Sequence, residues 1–551
     1  MMQTSTCVPP LLLAALAALS ACGGGGVGGG GGAGPAPAPP PAPAPRPVQA
    51  PDLGEVAPHD RGSTLPEHWT HGAFMQIFVR SYQDSDGDGQ GDLRGLIARL
   101  DYLQQLGVSG LWLMPISASQ DGDHGYAVTN YRSVEAAYGN LADLDELLQQ
   151  AHARGIGVVL DYVINHSAAQ HPLFQQARND PQAAARSWYL WQHPAPSAWQ
   201  VFGTNPWRPT ANGAYYAPFW DQMPDWNLRH PDVLDFHRNN LRFWLNRGVD
   251  GFRFDAVGLL LENGASAWQN QPESHSLMRT VAGWVGAYAR RFMVCEAPNA
   301  SLAFAESCGR AFAFDLSADL MRAVAQSDPA AVARLAAHPS GPQLATFLSN
   351  HDEFAGQRAY DQLGGQLPAL KLAASANLLR AGTPFIYYGE EIGMAGGAGL
   401  SGDPRLRSPM SWSGDPVAAG FSSRSPYRAL ATNAASHHVA AQQAEPGSLL
   451  RHYQALLALR RSEPALLLGR QEQAQAQGSA LGYWRVHAGE RVLVLLNFGR
   501  SSTPLSWQGA RPGARLQALW PAGGPALQAD ASGHLTSTLP AQGLLVFKEQ
   551  P

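Results

Sequence analysis

The chain has 551 residues, of which 45% are hydrophobic and 15% charged, with a formal net charge of −5. This length can bury a large core and form two or three domains. There is no basic run, which argues against nucleic acid as a partner. The spacing of the four cysteines, Cys7, Cys22, Cys295 and Cys308, fits neither a zinc site nor a disulfide framework. An oxidising compartment would permit a Cys295–Cys308 bridge, but free thiols are the expectation.

Leu11 to Leu19 is a Leu/Ala run too brief to span a bilayer as a stable helix. It leads into Leu19-Ser20-Ala21-Cys22, which resembles the lipobox of bacterial lipoproteins, whose cysteine becomes the lipidated first residue. No Lys or Arg precedes the apolar run, a departure from that pattern; the alternative is an ordinary cleaved signal with an incidental Cys22. Gly23 to Gly34 and the Pro-Ala repeat beyond are too flexible and too extended to build a core, so residues 23–65 read as a disordered tether. The expectation is an exported protein whose signal is residues 1–22. A lipid anchor on Cys22 would hold it to a membrane facing the periplasm or the cell exterior.

From about Pro66 short apolar segments alternate with amphipathic ones. The candidate strands are Phe74–Val79, Gly110–Met114, Gly157–Tyr162, Gly251–Asp255, Phe292–Glu296, Ala311–Asp315, Ala345–Asn350 and Phe385–Tyr388. Candidate helices are Asp92–Leu106, Leu141–Arg154, Asp232–Arg247, Ser276–Arg290, Leu367–Arg380 and Leu449–Arg461. Strands followed by helices in this number predict an α/β fold, a (β/α)8 TIM barrel. Residues 66–162 and 226–465 would form the barrel. Residues 163–225, rich in Trp, Tyr, Pro and Asn, would form a lobe inserted after the third strand. The segments flanking His487-Ala488-Gly489-Glu490 read as a hairpin, so residues 466–551 are expected to be a C-terminal antiparallel β-sandwich.

In such a barrel the chemistry sits at the C-terminal ends of the strands. The fourth strand ends Arg253-Phe254-Asp255, the fifth ends in Glu296, and the seventh runs into Asn350-His351-Asp352. An Arg and an Asp two apart on a strand share a face, so Arg253 can hold Asp255 ionised. Carboxyls without a Cys/His metal set suit nucleophilic and acid–base work on a neutral polar substrate. Retaining glycoside hydrolysis needs two carboxyls about 5–5.5 Å apart, one ionised and one protonated. Asp255 fits the nucleophile, Glu296 the acid, and Asp352 a stabiliser of developing positive charge.

These segments resemble the ordered signature regions of the α-amylase family, glycoside hydrolase family 13. Asp161-Tyr162-Val163-Ile164-Asn165-His166, Gly251 to Asp255, Glu296 and Asn350-His351-Asp352 correspond to four core regions; Gly110 to Ile116 and Gly382 to Glu391 match two flanking ones. The resemblance implies Asp255 as nucleophile, Glu296 as acid/base and Asp352 as stabiliser. It also implies that Tyr126, His166, Arg253 and His351 line the subsite of the attacked sugar, with the Tyr126 ring stacked on it. Asp123-His124-Gly125-Tyr126 reads two ways: an Asp three residues before Tyr126 resembles exo-acting glucosidases that grip the chain end, whereas His-Gly-Tyr resembles amylases.

Asp84-Ser85-Asp86-Gly87-Asp88-Gly89-Gln90-Gly91-Asp92 places carboxylates at alternate positions, which suits a hard cation. Gly95 stands where an EF-hand needs Glu, so the loop is not an EF-hand. It resembles the calcium loop of oligo-1,6-glucosidase-like members. That resemblance implies a structural Ca2+ on Asp84, Asp86, Asp88, the Gln90 carbonyl and Asp92. The alternative is an acidic turn with Asp92 as a helix cap.

Met223-Pro224-Asp225 resembles a group intermediate between oligo-1,6-glucosidases and neopullulanases, although Trp226 departs from its usual Leu, and by the same resemblance Ala256, where α-1,6-cleaving members carry Val, implies α-1,4 bonds. The expected function is retaining hydrolysis of α-1,4-glucosidic bonds in starch or maltodextrins by a monomer. The alternatives are an exo-acting α-glucosidase, a glucanotransferase or trehalose synthase on the same site, and, less favoured, an inactive surface glucan binder.

Overall fold

The computed structural model describes residues 51–550. Cys22, the signal segment and residues 23–50 of the expected tether lie outside the described residues. Eight parallel strands close into a barrel: β1 (Phe74–Ile77), β2 (Gly110–Leu113), β3 (Gly157–Tyr162), β4 (Gly251–Phe254), β5 (Phe292–Cys295), β6 (Ala311–Phe312), β7 (Leu344–Thr346) and β8 (Thr383–Tyr387). Their order is sequential, and β1 pairs with both β2 and β8.

The period of two along each strand divides the core into two layers. Phe74, Trp112, Val159, Phe292, Val294, Phe312 and Phe385 fill the barrel interior. Their neighbours Met75, Leu111, Val158, Phe252, Phe254, Met293 and Cys295 face the other way, into the core beneath the helices. The same alternation aims Arg253 inward. Gly251 is required where β4 meets β5: its φ is +150°, and a Cβ there would collide with the Phe292 carbonyl oxygen.

Outside the strands run α1 (Leu93–Ala98), α2 (Leu100–Leu106), α3 (Leu141–Ala153), α4 (Pro231–Arg247), α5 (Pro272–Gly286), α6 (Ser301–Cys308), α7 (Phe314–Gln326), α8 (Pro329–Ala337), α9 (Leu367–Leu379) and α10 (Leu449–Ser462). The single helix expected over Asp92–Leu106 is divided at Arg99, whose guanidinium lies 4.0 Å over the Trp412 ring and whose Nε donates to Gln83. The sixth expected strand stops at Phe312, because α7 starts at Phe314, inside the range predicted as strand.

The segment between β3 and α4 forms a lobe with the helix Pro172–Asn179 and a three-stranded sheet of Trp191–Gln192, Gly213–Tyr216 and Trp207–Thr210. Trp207 packs with Tyr216 and Trp199 in the lobe's own small core, whereas Trp220 is exposed. Beyond α10 come β9 (Arg470–Gln477), β10 (Ala480–His487), β11 (Glu490–Asn497), β12 (Thr503–Gln508), β13 (Arg515–Trp520), β14 (Leu527–Gln528), β15 (His534–Leu539) and β16 (Gly543–Glu549). They make a six-stranded antiparallel sheet and the pair β12–β15, with Trp484, Leu493, Trp507, Leu535 and Phe547 in the core they share. The β10–β11 hairpin turns on Ala488 and Gly489, both at positive φ (46° and 86°), as a two-residue turn of this hand requires.

Two expectations are corrected. Residues 51–65, assigned to the tether, are docked on the barrel: Val56 N donates to Asn239 Oδ1 (3.0 Å), Asn246 Nδ2 to the Ala57 carbonyl (2.9 Å), and Arg132 pairs with Asp52 (3.0 Å). Main-chain bonding to helix side chains holds this segment, and composition does not register it. The second concerns Cys295 and Cys308, which form a disulfide with Cα atoms 6.2 Å apart. α6 brings Cys308 back behind the end of β5, a return that linear spacing does not reveal.

Candidate active site

At the mouth of the barrel one buried guanidinium collects three carboxyls. Arg253, 1% exposed, donates from Nη1 to Asp255 Oδ1 (2.6 Å) and Asp161 Oδ1 (2.7 Å), and Nη2 lies 2.8 Å from Glu296 Oε2. Glu296 Oε2 also accepts the Ala256 N–H (3.1 Å). Three carboxyls facing one cation in a dry site cannot all ionise, so the cluster retains a proton. Burial raises both Glu296 and Asp255, with Arg253 opposing in each case. The Asp255 charge pushes Glu296 further up, and the Asp161 charge pushes Asp255 up in the same way. Both carboxyls are thus raised while sharing one guanidinium.

Tyr126 and His351 form the next shell of bonds. The Tyr126 hydroxyl donates to Asp161 Oδ2 (2.8 Å) and lies 2.7 Å from His351 Nε2; His351 Nδ1 accepts from Gln76 Nε2 (2.7 Å). Fully buried, His351 is held neutral, its pKa lowered first by burial and then by Arg407 and Arg253. The Tyr126 ring stacks on the His351 ring at 5.6 Å and 11°. His166 is buried with Nε2 unpartnered and its pKa lowered by burial to about 3, so it is a neutral ring with a free polar edge.

Asp352 lies 3.2 Å from both His351 Nε2 and Arg407 Nη2. Burial and the neighbouring Asp403 raise its pKa, and Arg407 opposes them. Asp123 stands on a loop wound around Asp121, whose carboxylate accepts the N–H groups of Asp123 (2.8 Å), Gly125 (3.0 Å) and Ala127 (3.0 Å). Burial would raise Asp121, but His124 and these donors hold it down at about 2. The Asp123 carboxylate accepts from Arg428 Nη2 at 2.6 Å.

The predicted residues Asp255, Glu296, Asp352, Tyr126, Arg253 and His351 are thus joined in one bonded cluster; His166 and Asp123 lie around it. Sequence reasoning did not assign site roles to Asp161, Gln76, Arg407 or Arg428. Asp161 could have been found: it is a lone charge at the end of the apolar run Gly157–Leu160. Arg407 and Arg428 come from irregular segments after β8 with no comparable signal.

In the acidic loop, carboxylate oxygens of Asp84, Asp86 and Asp88 lie within 4.8 Å of one another. This all-oxygen donor set suits a hard cation. Asp92 is turned elsewhere: its carboxylate caps α1 at Gly95 N (2.7 Å) and accepts from Ser85 Oγ (2.8 Å). The Gln90 side chain accepts from Arg80.

Residues 76–469 match the α-amylase catalytic domain family. The chain is 33% identical over 453 residues to "Alpha-amylase 3" of Dictyoglomus thermophilum, spanning 79% of this chain and 86% of that one. It is 31% identical over 523 residues to "Trehalose synthase/amylase TreS" of Mycobacterium tuberculosis, with 83% and 86% covered. Among solved structures it is similar to the α-glucosyl transfer enzyme XgtA (TM-score 0.76, 29% identity, 88% of this chain and 99% of that chain). It is also similar to the α-amylase from H. orenii (TM-score 0.74, 28% identity, 87% and 100%).

Proposed function

Because the chain belongs to the α-amylase family of glycoside hydrolases, we propose that it cleaves α-1,4-glucosidic bonds of maltodextrins by double displacement. The Asp255 carboxylate attacks the anomeric carbon while Glu296 gives its proton to the glycosidic oxygen, which leaves as a sugar hydroxyl. The glucosyl–Asp255 ester then breaks as Glu296, now a carboxylate, takes a proton from water and the resulting oxygen attacks the same carbon. Asp352 offsets positive charge building on the ring, and the free edge of His166 meets a substrate hydroxyl. The observation that carries this reading is the Arg253 fork, which brings the Asp255 carboxyl (2.6 Å) and the Glu296 carboxyl (2.8 Å) onto one buried guanidinium.

A second reading, attack from the chain end, is favoured by Asp123. Its pairing with Arg428 supports a closed end to the sugar pocket that would take a terminal glucose. Chromatography of products from soluble starch, maltotriose, pullulan, isomaltose and sucrose separates the readings. Early mixed oligosaccharides mean internal attack, glucose alone means chain-end attack, and longer products mean transfer. No cleavage of any of them would remove the proposal.

The acidic loop would hold a structural Ca2+ through Asp84, Asp86 and Asp88. Export is supported by the Cys295–Cys308 bridge, since such bonds persist in oxidising compartments; the Leu19-Ser20-Ala21-Cys22 resemblance alone points to a lipid anchor.

A further inference from the structure

The disulfide is anchored one residue before Glu296. On β5, Phe292 and Val294 point into the barrel and Met293 and Cys295 point out, so Glu296, the next residue, turns back inward. Cys295 is therefore the outward-facing residue immediately behind the proposed acid. Its sulfur is bonded to Cys308, the last residue of α6, and the two are 0% and 3% exposed.

The pairing of β5 is lopsided. On the β4 side it runs through four residue pairs, from Phe292↔Gly251 to Cys295↔Phe254. On the β6 side the ladder has one pair, Cys295↔Ala311. Meanwhile the Glu296 side chain is drawn inward by Arg253 Nη2 (2.8 Å) and Ala256 N (3.1 Å), all from the β4 side. The strand end is thus pulled from one flank, and the residue that carries the single pair on the other flank also carries the bridge.

We infer that the Cys295–Cys308 bridge is a positioning device for Glu296. It pins the end of β5 to α6, fixing where the carboxyl meets the leaving oxygen. The inference rests on the reading of Glu296 as the acid/base. A bridge of purely global, stabilising effect would change all turnover alike; a positioning bridge acts on proton transfer alone.

The test uses two substrates on the intact chain. Maltotriose needs its leaving oxygen protonated, whereas α-glucosyl fluoride in the presence of azide needs neither a general acid nor a general base. The C295A/C308A variant is expected to lose roughly tenfold or more in kcat on maltotriose while changing less than about twofold on fluoride plus azide. The basic limb of its maltotriose pH profile should also move. Equal losses on both substrates, or no loss on either, would overturn the inference. If that variant does not fold, C295V/C308A, which refills the volume on β5, is read in the same way. Should it too fail to fold, the bridge is a folding requirement and the positioning role is rejected. E296Q serves as the reference. If it fails equally on both substrates, the role of Glu296 is wrong; if it spares fluoride plus azide and the cysteine variant does not, the bridge is structural only.

Discussion

Arg253 Nη1 lies 2.6 Å from Asp255 Oδ1, two residues on and just past the end of β4, and the pair is buried. The partnership is forced by period two: Phe252 and Phe254 enter the outer core, so Arg253 and Asp255 share the opposite side. The guanidinium thereby serves as the common counter-ion of Asp161, Asp255 and Glu296.

Removing it should affect both activity and stability. R253A leaves three buried carboxyls without a cation, a loss of the kind that costs about 3–5 kcal/mol. Its melting temperature should fall, and kcat should drop by roughly a hundredfold or more as Asp255 loses its charge partner. R253K keeps the charge but cannot form the fork, so it should fall between the two. Melting curves and steady-state kinetics check both. A fully active R253A would mean that Asp255 does not depend on this pair.

Asp123 and Arg428 should govern short substrates more than long ones. If they close the sugar pocket, R428A raises KM for maltotriose by about tenfold, the size expected from a lost charge-assisted bond, and changes soluble starch less. Parallel changes on both substrates would place the pair outside the subsite.

The second pair of buried carboxyls, Glu390 and Glu391, predicts a pH dependence of stability. Burial lifts Glu390 to about 8 and Glu391 to about 7, although the hydroxyls of Tyr453 and Tyr102 donate to them at 2.8 Å and 2.7 Å. Because the folded-state values lie above the unfolded one near 4.5, the folded protein binds more protons. Their contribution is complete below pH 4.5 and is lost as pH rises through 7 and 8. The slope is up to about 1.4 kcal/mol per pH unit for each group. E390Q should flatten the decline in melting temperature between pH 4.5 and 8; an unchanged slope there would remove Glu390 from the explanation.

Calcium should stabilise the chain through the acidic loop. Asp88 already has a raised pKa, from burial first and then from Asp86, Asp84 and Asp92. A bound cation would relieve that repulsion and stabilise by mass action. Chelation is expected to lower the melting temperature of the wild type and to leave D86N nearly unaffected. Equal sensitivity in the two would place the ion elsewhere, and insensitivity of the wild type would remove it.

The strands of the barrel were legible because each is a short apolar run buried on both faces, and Arg253-Phe254-Asp255 kept its alternation at the strand end. The two-residue hairpin at Ala488-Gly489 was legible from its turn chemistry. Three features were not. Residues 51–65 look like linker because their hold on the barrel is main chain to Asn239 and Asn246, which composition does not register. At the break, Arg99 reaches Trp412, hundreds of residues away. The Cys295–Cys308 bond depends on the return path of α6. Within the site, residues on strands announced themselves, whereas Arg407 and Arg428 reach Asp352 and Asp123 from irregular segments whose course no local pattern dictates.

The most direct test of double displacement is to trap the ester. Wild-type enzyme is incubated with a fluorinated glucosyl fluoride that forms the intermediate faster than water clears it, and the labelled peptide is sequenced by mass spectrometry. The predicted result is one glucosyl adduct on Asp255, absent in D255N. An adduct on Glu296, Asp352 or Asp161 instead, or turnover of the reagent with no adduct and inverted product, would contradict it.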